Sequence, residues 1–206
     1  MKKGHFISFE GGDGSGKTTQ MEKTKKYIED KKNYDVIITR EPGGTEISEK
    51  IRKILLDKSY HKVLNYKTEL FLYIAARTQL YYEKIKPLLK KNKVILCDRF
   101  YDATLAYQGY ARNLGIDKTL ELNLWALDGF KPDFTFLFML DPETGLKREN
   151  NKDRFNLEGL KFHRKVCKGY KKIAKRFNNR IHQINVEKRN QDEVFEIIKS
   201  KLEKYL

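Results

Sequence analysis

The sequence predicts an α/β fold in which a five-stranded parallel sheet is flanked by helices. Short apolar runs rich in Ile, Val and Phe alternate with longer amphipathic segments along the chain, which is the pattern of such a sheet. The runs show little polar alternation, as strands buried on both faces do. Without repeats or a Ser/Gly/Pro-rich linker, the 206 residues are expected to form one domain, 1–206. The predicted strands are residues 5–10, 35–39, 93–98, 133–140 and 180–185.

The segments between these strands carry helical patterns. Residues 67–91 have apolar side chains at spacings of three and four, and Pro87 is expected to kink the last turn. A second apolar stripe covers residues 162–177, with lysines and arginines on the other faces. Asn190, followed by Glu193, predicts the start of a final helix. Residues 147–156 are almost wholly polar and charged, which indicates a mobile surface loop or lid.

Charge and composition exclude some classes of protein and leave others open. The longest apolar run, residues 134–140, is far shorter than the roughly 20 residues of a membrane helix. Cys97 and Cys167 lack the spacing of a zinc or redox motif, so a reducing cytoplasm is expected. With 43 Lys and Arg against 28 Asp and Glu, the formal net charge is +15. That excess is compatible with nucleic acid, a membrane surface or small anionic substrates.

A glycine-rich loop directly follows the first predicted strand. It matches the G-x-x-x-x-G-K-[ST] pattern and precedes a helical segment. Glycines allow the backbone to wrap phosphates, and the following helix start favours anions. Lys17 is expected to reach the β- and γ-phosphates and the Thr18 hydroxyl to ligate magnesium. The strand–loop–helix context favours a triphosphate site over a chance glycine-rich turn. The loop consists of Gly11, Gly12, Asp13, Gly14, Ser15, Gly16, Lys17 and Thr18.

Two further motifs end neighbouring strands. Thr39-Arg40-Glu41-Pro42-Gly43-Gly44 follows the second strand and Asp98-Arg99-Phe100 the third. Ligands of open α/β sheets bind beyond the carboxyl ends of the strands, so both motifs should meet the glycine-rich loop in one crevice. Two arginines facing a triphosphate indicate a second phosphate there. A GTPase is disfavoured because residues 151–154 place the acid of Asn-Lys-x-Asp one position early.

Seven short motifs follow one another along the chain. They are Phe9-Glu10-Gly11 with Lys17-Thr18-Thr19, Thr39 to Gly44, Ala75-Ala76-Arg77, Asp98-Arg99-Phe100, Ala106-Tyr107-Gln108-Gly109, Lys131-Pro132-Asp133 and Asp153-Arg154-Phe155. In this order and at these spacings, they make the chain resemble the bacterial thymidylate kinases over essentially its whole length. This resemblance implies a P-loop nucleoside-monophosphate-kinase-like fold with a short lid at about 147–156. It also implies transfer of the γ-phosphoryl group of ATP to dTMP for dTTP synthesis, with Mg²⁺, in a cytoplasmic homodimer without nucleic-acid or membrane partners.

The resemblance also implies roles for individual residues. Tyr73 would stack on thymine and Arg77 would reach its O4, while Tyr107 would disfavour a 2′-hydroxyl. The implied catalytic residues are Lys17, Arg99 and the lid arginines Arg148 and Arg154, with Lys152 also in the basic lid. ATP would contact Gly11, Gly12, Asp13, Gly14, Ser15, Gly16, Lys17, Thr18 and Thr19. The dTMP site would comprise Asp13, Arg40, Arg52, Tyr73, Arg77, Arg99, Thr104, Tyr107 and Gln108. Thr18 and Asp98 would hold magnesium.

Two other functions stay open at this point. One is a kinase of another nucleoside or nucleotide acceptor. If the acceptor were a nucleoside hydroxyl, a carboxylate base would activate it, with Glu10, Glu41 or Asp13 as candidates. A nucleic-acid-binding ATPase would account for the +15 charge. No helix-turn-helix, zinc or RNA-recognition signature supports the second alternative.

Overall fold

A five-stranded parallel sheet forms the centre of the molecule, in the order β2-β3-β1-β4-β5. The computed structural model describes residues 3–148 and 153–206. Each sequence-predicted strand is confirmed to within one residue at either end. The strands are β1 His5–Gly11, β2 Val36–Arg40, β3 Val94–Asp98, β4 Phe134–Met139 and β5 Ile181–Asn185.

Helices cover both faces of this sheet. Those in the described residues are α1 Lys17–Lys32, α2 Glu46–Leu56, α3 Tyr66–Leu80, α4 Lys86–Lys90, α5 Tyr101–Thr104, α6 Ile116–Ala126, α7 Pro142–Arg148, α8 Gly159–Arg176 and α9 Gln191–Leu202. Short 3₁₀ turns lie at Lys58–Tyr60 and Arg154–Glu158. As predicted, Asn190 caps α9 in a reciprocal arrangement with Glu193, which satisfies backbone N–H groups of its first turn.

The segment predicted as one kinked helix over 67–91 is two α-helices joined by a π-helical turn, Tyr81–Ile85. Pro87 lies in the first turn of α4, where its missing N–H costs least. Its ring would clash with the carbonyl four residues earlier in a continuous helix. The wider π turn therefore accommodates the proline, and the irregularity lies one turn earlier than the sequence predicts.

Alternate residues of the strands feed two hydrophobic cores. Ile95 and Cys97 of β3 join a core with Phe100, Leu105 and the apolar stripe of α8. Val94 and Leu96 point to the opposite face, toward Met21 and Ile28 of α1 and Ile198 of α9. This alternation is that of a strand buried on both sides. None of the helices within 3–148 and 153–206 has the length and apolar character needed to cross a bilayer.

A buried ion pair fastens α5 to the sheet. Arg180, immediately before β5, donates to both carboxylate oxygens of Asp102 at 2.6 and 2.7 Å and to the Thr135 hydroxyl at 3.0 Å. The guanidinium group also lies over the Tyr101 ring. Bidentate geometry of this kind is the strong form of an ion pair. It holds the start of α5 behind the carboxyl ends of β1 and β3.

Candidate active site

The phosphate loop joins β1 to α1. Gly11, Gly14 and Gly16 have φ values of 137°, 68° and 86°, in the region that glycine adopts without strain. Lys17 is buried, and its Nζ donates to the carbonyl oxygens of Gly11 and Gly12 at 3.3 and 3.0 Å. Burial lowers the pKa of Lys17. The loop thus aims an ammonium group and the N-terminus of α1 at one point, as a phosphate site requires.

Sheet register brings the other strand-end motifs to this loop. Arg40 pairs with Asp98 across β2 and β3, and Asp98 pairs with Phe9 across β3 and β1. A cavity of about 450 Å³ opens beyond these strand ends. Its walls include every residue that the sequence placed in the dTMP site: Asp13, Arg40, Arg52, Tyr73, Arg77, Arg99, Thr104, Tyr107 and Gln108. Residues 14–19, Asp98 and Arg148 complete the wall near the phosphate loop.

Arg99 lies at the centre of the crevice, with a φ of 67° that is unusual for a residue with a side chain. Its guanidinium group donates to Asp13 Oδ1 at 2.5 Å and to the Gly11 carbonyl at 2.8 Å. Although burial works in the opposite direction, the charge of Arg99 lowers the pKa of Asp13. The guanidinium group of Arg99 therefore balances the negative charge of Asp13 within the phosphate loop, and Asp13 stays ionised.

Three more arginines of the cavity, Arg40, Arg52 and Arg77, are held by acids, an amide or a carbonyl. Arg77 is buried and donates to Glu41 Oε2 at 2.7 Å and to Asn123 Oδ1 at 2.7 Å. Arg40 donates to Glu49 at 2.9 and 3.0 Å, and Arg52 Nη1 donates to the carbonyl of Pro42 at 2.8 Å. Arg77, which the resemblance places in the dTMP site, lines the cavity. These contacts fix the guanidinium groups, which can then bind phosphate at little entropic cost.

One part of the cavity wall is aromatic. Tyr73 and Phe155 have ring centroids 6.3 Å apart, and Tyr107 meets Phe155 edge to face at 5.6 Å. Burial raises the pKa of Tyr73, so its hydroxyl stays protonated. Beside these rings, the Thr104 hydroxyl is buried without a hydrogen-bond partner. An aromatic wall beside a free polar group suits a planar heterocycle.

Comparison with known proteins agrees with this geometry. A family model described as thymidylate kinase matches residues 9–198. The chain belongs to the thymidylate kinase family. The thymidylate kinase of Geobacillus sp. (strain WCH70) is 50% identical over 198 residues, which cover 94% of this chain and 93% of that protein. The thymidylate kinase of Clostridium novyi (strain NT) is 47% identical over 206 residues, covering 97% and 98%. These findings confirm the resemblance seen in the sequence.

A solved structure confirms the fold. The crystal structure of thymidylate kinase from Ehrlichia chaffeensis superposes with a TM-score of 0.78 at 33% identity, covering 97% of this chain and 99% of that one. The predicted P-loop α/β fold with a five-stranded parallel sheet is therefore correct.

Two groups in this thymidylate kinase family member fit a magnesium ion. Asp98 Oδ1 is buried without a hydrogen-bond partner, and the Thr18 side chain is exposed at the start of α1. Both residues line the cavity. Within the described ranges, no group of three or more His, Cys, Asp and Glu side chains forms a metal cage. This arrangement suits Mg²⁺, which takes one or two protein ligands and completes its octahedron with phosphate oxygens and water.

The predicted lid, 147–156, lies partly outside the described residues, because residues 149–152, including Lys152, are not described. Arg148 ends α7, is exposed and lines the cavity. Arg154 was expected on the lid facing ATP, but the structure turns it inward. It is buried, donates to the Leu55 carbonyl at 2.8 Å and pairs with Glu69 at 2.6 Å. The buried carboxylate of Glu69 attracts this guanidinium group away from the cavity.

Several supporting contacts of the site were not predicted from the sequence. Glu69 and Asn123 hold Gln108 and Arg77, respectively. Glu41, considered from the sequence only as a candidate base, pairs with Arg77. A second cavity, of about 220 Å³, on the other side of the phosphate loop was not predicted either. The position of this cavity beyond β5 could have been inferred from the strand-end rule. Its lining includes residues 14–16, Thr19, Gln20, Arg148, Val186 and residues 189–191.

Proposed function

We propose that this chain transfers the γ-phosphoryl group of ATP to dTMP, giving dTDP and ADP. The observation that carries the proposal is one cavity lined by a phosphate loop, by fixed arginines and by aromatic rings. That combination suits a nucleoside monophosphate whose phosphate meets the terminal phosphate of ATP. Membership of the thymidylate kinase family supports the same acceptor.

The acceptor in this reaction is already an anion, so the transfer needs no general base. The three carboxylates that the sequence left as candidate bases are engaged: Asp13 pairs with Arg99 and Glu41 pairs with Arg77. The neighbouring Glu10 accepts hydrogen bonds from Ser8, Tyr170 and the Phe100 N–H. These contacts favour a phosphate acceptor over the nucleoside hydroxyl that the sequence left open.

The residues around the phosphates would have separate roles in the transfer. The phosphate loop, Gly11 to Thr19, would wrap the ATP phosphates, and Lys17 would draw negative charge from the γ-phosphoryl group. Arg99 and Arg40 would hold the phosphate of dTMP, with Arg52 behind them. Arg148 lines the cavity from the end of α7 and is the better candidate for the transition-state arginine than the buried Arg154. Thr18 and Asp98 would hold Mg²⁺, which neutralises phosphate charge when bound.

The aromatic pocket would bind the thymine and sugar. Tyr73 would stack on the base, and the Arg77 guanidinium and the free Thr104 hydroxyl would contact its edge beside Gln108. Tyr107, packed edge to face on Phe155 and beneath the Arg99 guanidinium, would exclude a ribose 2′-hydroxyl. The second cavity, beyond β5, would take the adenine of ATP.

Steady-state rates with ATP and a panel of acceptors test this proposal. The panel is dTMP, dUMP, thymidine, UMP and AMP, and dTMP should have the highest kcat/KM. A preference for thymidine would reject phosphate as the accepting group, and equal rates with AMP would reject the aromatic pocket as the selective element. Retention on DNA at physiological salt would favour the nucleic-acid-binding ATPase instead.

A homodimer is proposed from an apolar surface on neighbouring helices. Ile47 and Ile54 on α2, Phe71 on α3 and Trp125 on α6 are exposed, Trp125 by 82%. Helix α3 packs against both α2 and α6, and exposed large apolar side chains on neighbouring elements are typical of an association surface. Sedimentation velocity should give a dimer for the native chain and a monomer for Trp125→Asp, whereas a monomeric native chain would reject the proposal. Both cysteines are free thiols, which supports a cytoplasmic location.

A further inference from the structure

Glu69 of α3 is a fully buried carboxylate with several donors around it. Gln108 Nε2 donates to its Oε1 at 2.7 Å. Arg154 Nη2 donates to its Oε2 at 2.6 Å, and Arg112 lies at 3.4 Å from both oxygens. A buried charge is tolerated only with such partners. Gln108 lines the cavity, whereas Glu69 does not.

The carboxylate dictates how the Gln108 amide is oriented. An ionised carboxylate accepts hydrogen bonds and cannot donate them. The amide must therefore turn its NH₂ group toward Glu69, and its planar geometry directs the carbonyl oxygen the other way. Amide orientation is set by the hydrogen-bond network around it, and here the guanidinium groups of Arg154 and Arg112 donate to the same carboxylate. A neutral group in place of Glu69 would allow either orientation.

We propose that Glu69 is a positioning residue for base selection, acting through Gln108. This inference rests on the proposed function, dTMP phosphorylation. Thymine presents an N–H donor at N3 beside a carbonyl acceptor at O4, whereas cytosine presents an acceptor at N3 beside an amino donor. The fixed Gln108 oxygen can accept a hydrogen bond from N3–H of thymine, and Arg77 can donate one to O4. Cytosine presents an acceptor and a donor in the reverse positions, so it does not fit this pair. The Thr104 hydroxyl can donate or accept, so it cannot supply this selection.

The two arginines on Glu69 can be separated from Gln108 by mutation. Arg112 is also held by Glu158, with contacts of 2.5 and 2.9 Å, and lies over the rings of Tyr66 and Phe162. Replacing Arg112 by lysine disturbs the ion pairs but leaves the Gln108 to Glu69 hydrogen bond in place. Arg112→Lys is therefore the matched control for a purely structural role of Glu69.

The test compares kcat/KM for dTMP with kcat/KM for dCMP in Glu69→Gln, Gln108→Met and the double variant. Each single substitution should reduce the dTMP to dCMP ratio by roughly tenfold or more, because a hydrogen-bonding site discriminates by leaving the wrong partner unpaired. The double variant should show no further loss, because both changes remove the same oriented oxygen. Arg112→Lys should lower the thermal midpoint and leave the ratio unchanged.

A ratio of kcat/KM for dTMP to kcat/KM for dCMP that is unchanged in Glu69→Gln would overturn the proposal. So would a double variant in which the losses of the two single variants multiply. If Glu69→Gln does not fold, Glu69→Asp retains the charge for the arginines and withdraws it from Gln108. The same fall in the ratio is expected of Glu69→Asp, and an unchanged ratio overturns the proposal equally. If the native enzyme does not phosphorylate dTMP, the proposed function fails, and the variants play no part in that result.

Discussion

The contact between helix α7 and the phosphate loop leads to a quantitative prediction at Gly145. A Cβ atom at Gly145 would lie 2.5 Å from the carbonyl oxygen of Asp13. From the other side, a Cβ at Gly14 would lie 2.6 Å from the Gly145 carbonyl. The backbones of the loop and of α7 are therefore in direct contact. Gly145→Ala must push them apart.

The size of the displacement follows from these distances. Ordinary van der Waals contact for a Cβ begins at 3.4 Å, so the added methyl must move the loop or α7 by about 0.9 Å. A misplacement of about 1 Å in a catalytic site costs on the order of 100-fold in rate. Gly145→Ala should therefore lower kcat by about 10- to 100-fold. The same substitution elsewhere in a helix would stabilise by up to about 1 kcal/mol, so global unfolding should not explain the loss.

The assay is a coupled measurement of ADP release with dTMP as acceptor, together with the thermal midpoint of each variant. Glu143→Ala is the control: it lies on the same helix, is exposed and loses only a surface pair with Lys147, worth under about 1 kcal/mol. Native kcat in Gly145→Ala would refute the argument that the loop and α7 are held at a fixed separation. A thermal midpoint far below that of Glu143→Ala would show that the clash acts on folding instead.

The remaining predictions concern the lid, a buried acid and a buried ion pair. Arg148→Ala should lower kcat roughly 100-fold with little change in KM for dTMP, because its charge is needed chiefly in the transition state. Burial raises the pKa of Glu10 from 4.5 to about 7, so the folded state holds this proton after the unfolded chain has lost it. Stability in urea should fall as pH rises from about 4.5 to about 7, and Glu10→Gln should remove this part of the fall. Asp102→Ala should destabilise by roughly 3–5 kcal/mol, because it leaves Arg180 as an unpaired buried charge. Asp117→Ala, which breaks the exposed pair with Arg176, should cost under about 1 kcal/mol.

Contrary outcomes are equally specific. Native turnover in Arg148→Ala would show that α7 does not supply the catalytic arginine. An identical pH dependence of the urea midpoint in Glu10→Gln and the native chain would show that Glu10 titrates near its ordinary pKa. Equal losses in Asp102→Ala and Asp117→Ala would show that burial adds nothing to the ion pair at Arg180.

The sheet was predictable because its strands are buried on both faces, which leaves near-continuous apolar runs such as 93–98 and 133–140 in the sequence. The phosphate loop was predictable because its fixed residues are adjacent in the chain. The irregular turn in the helical segment 67–91 was less predictable from the sequence. Pro87 indicated a break, but the π turn forms one turn earlier, at Tyr81–Ile85, where packing determines which hydrogen bonds are kept.

The sequence predicted which residues line the cavity, but it did not predict the contacts that hold those side chains in place. Arginines near strand ends could be assigned to one crevice because parallel strands end at one edge. The acids that hold them could not, since Glu41 to Arg77 and Glu69 to Arg154 span 36 and 85 residues. For the same reason Arg154 was misplaced: a basic residue in a polar segment suggests solvent, and only the fold reveals the buried carboxylate that binds it.

The most direct test of the account is the ratio of kcat/KM for dTMP to that for thymidine, measured with ATP and Mg²⁺ on the native chain. The account predicts that dTMP is strongly preferred and that dTDP is the product, because Arg40 and Arg99 line the cavity with the phosphate loop and the candidate bases Glu10, Glu41 and Asp13 are held by other groups. A ratio below one, with dTMP accumulating from thymidine, would contradict it.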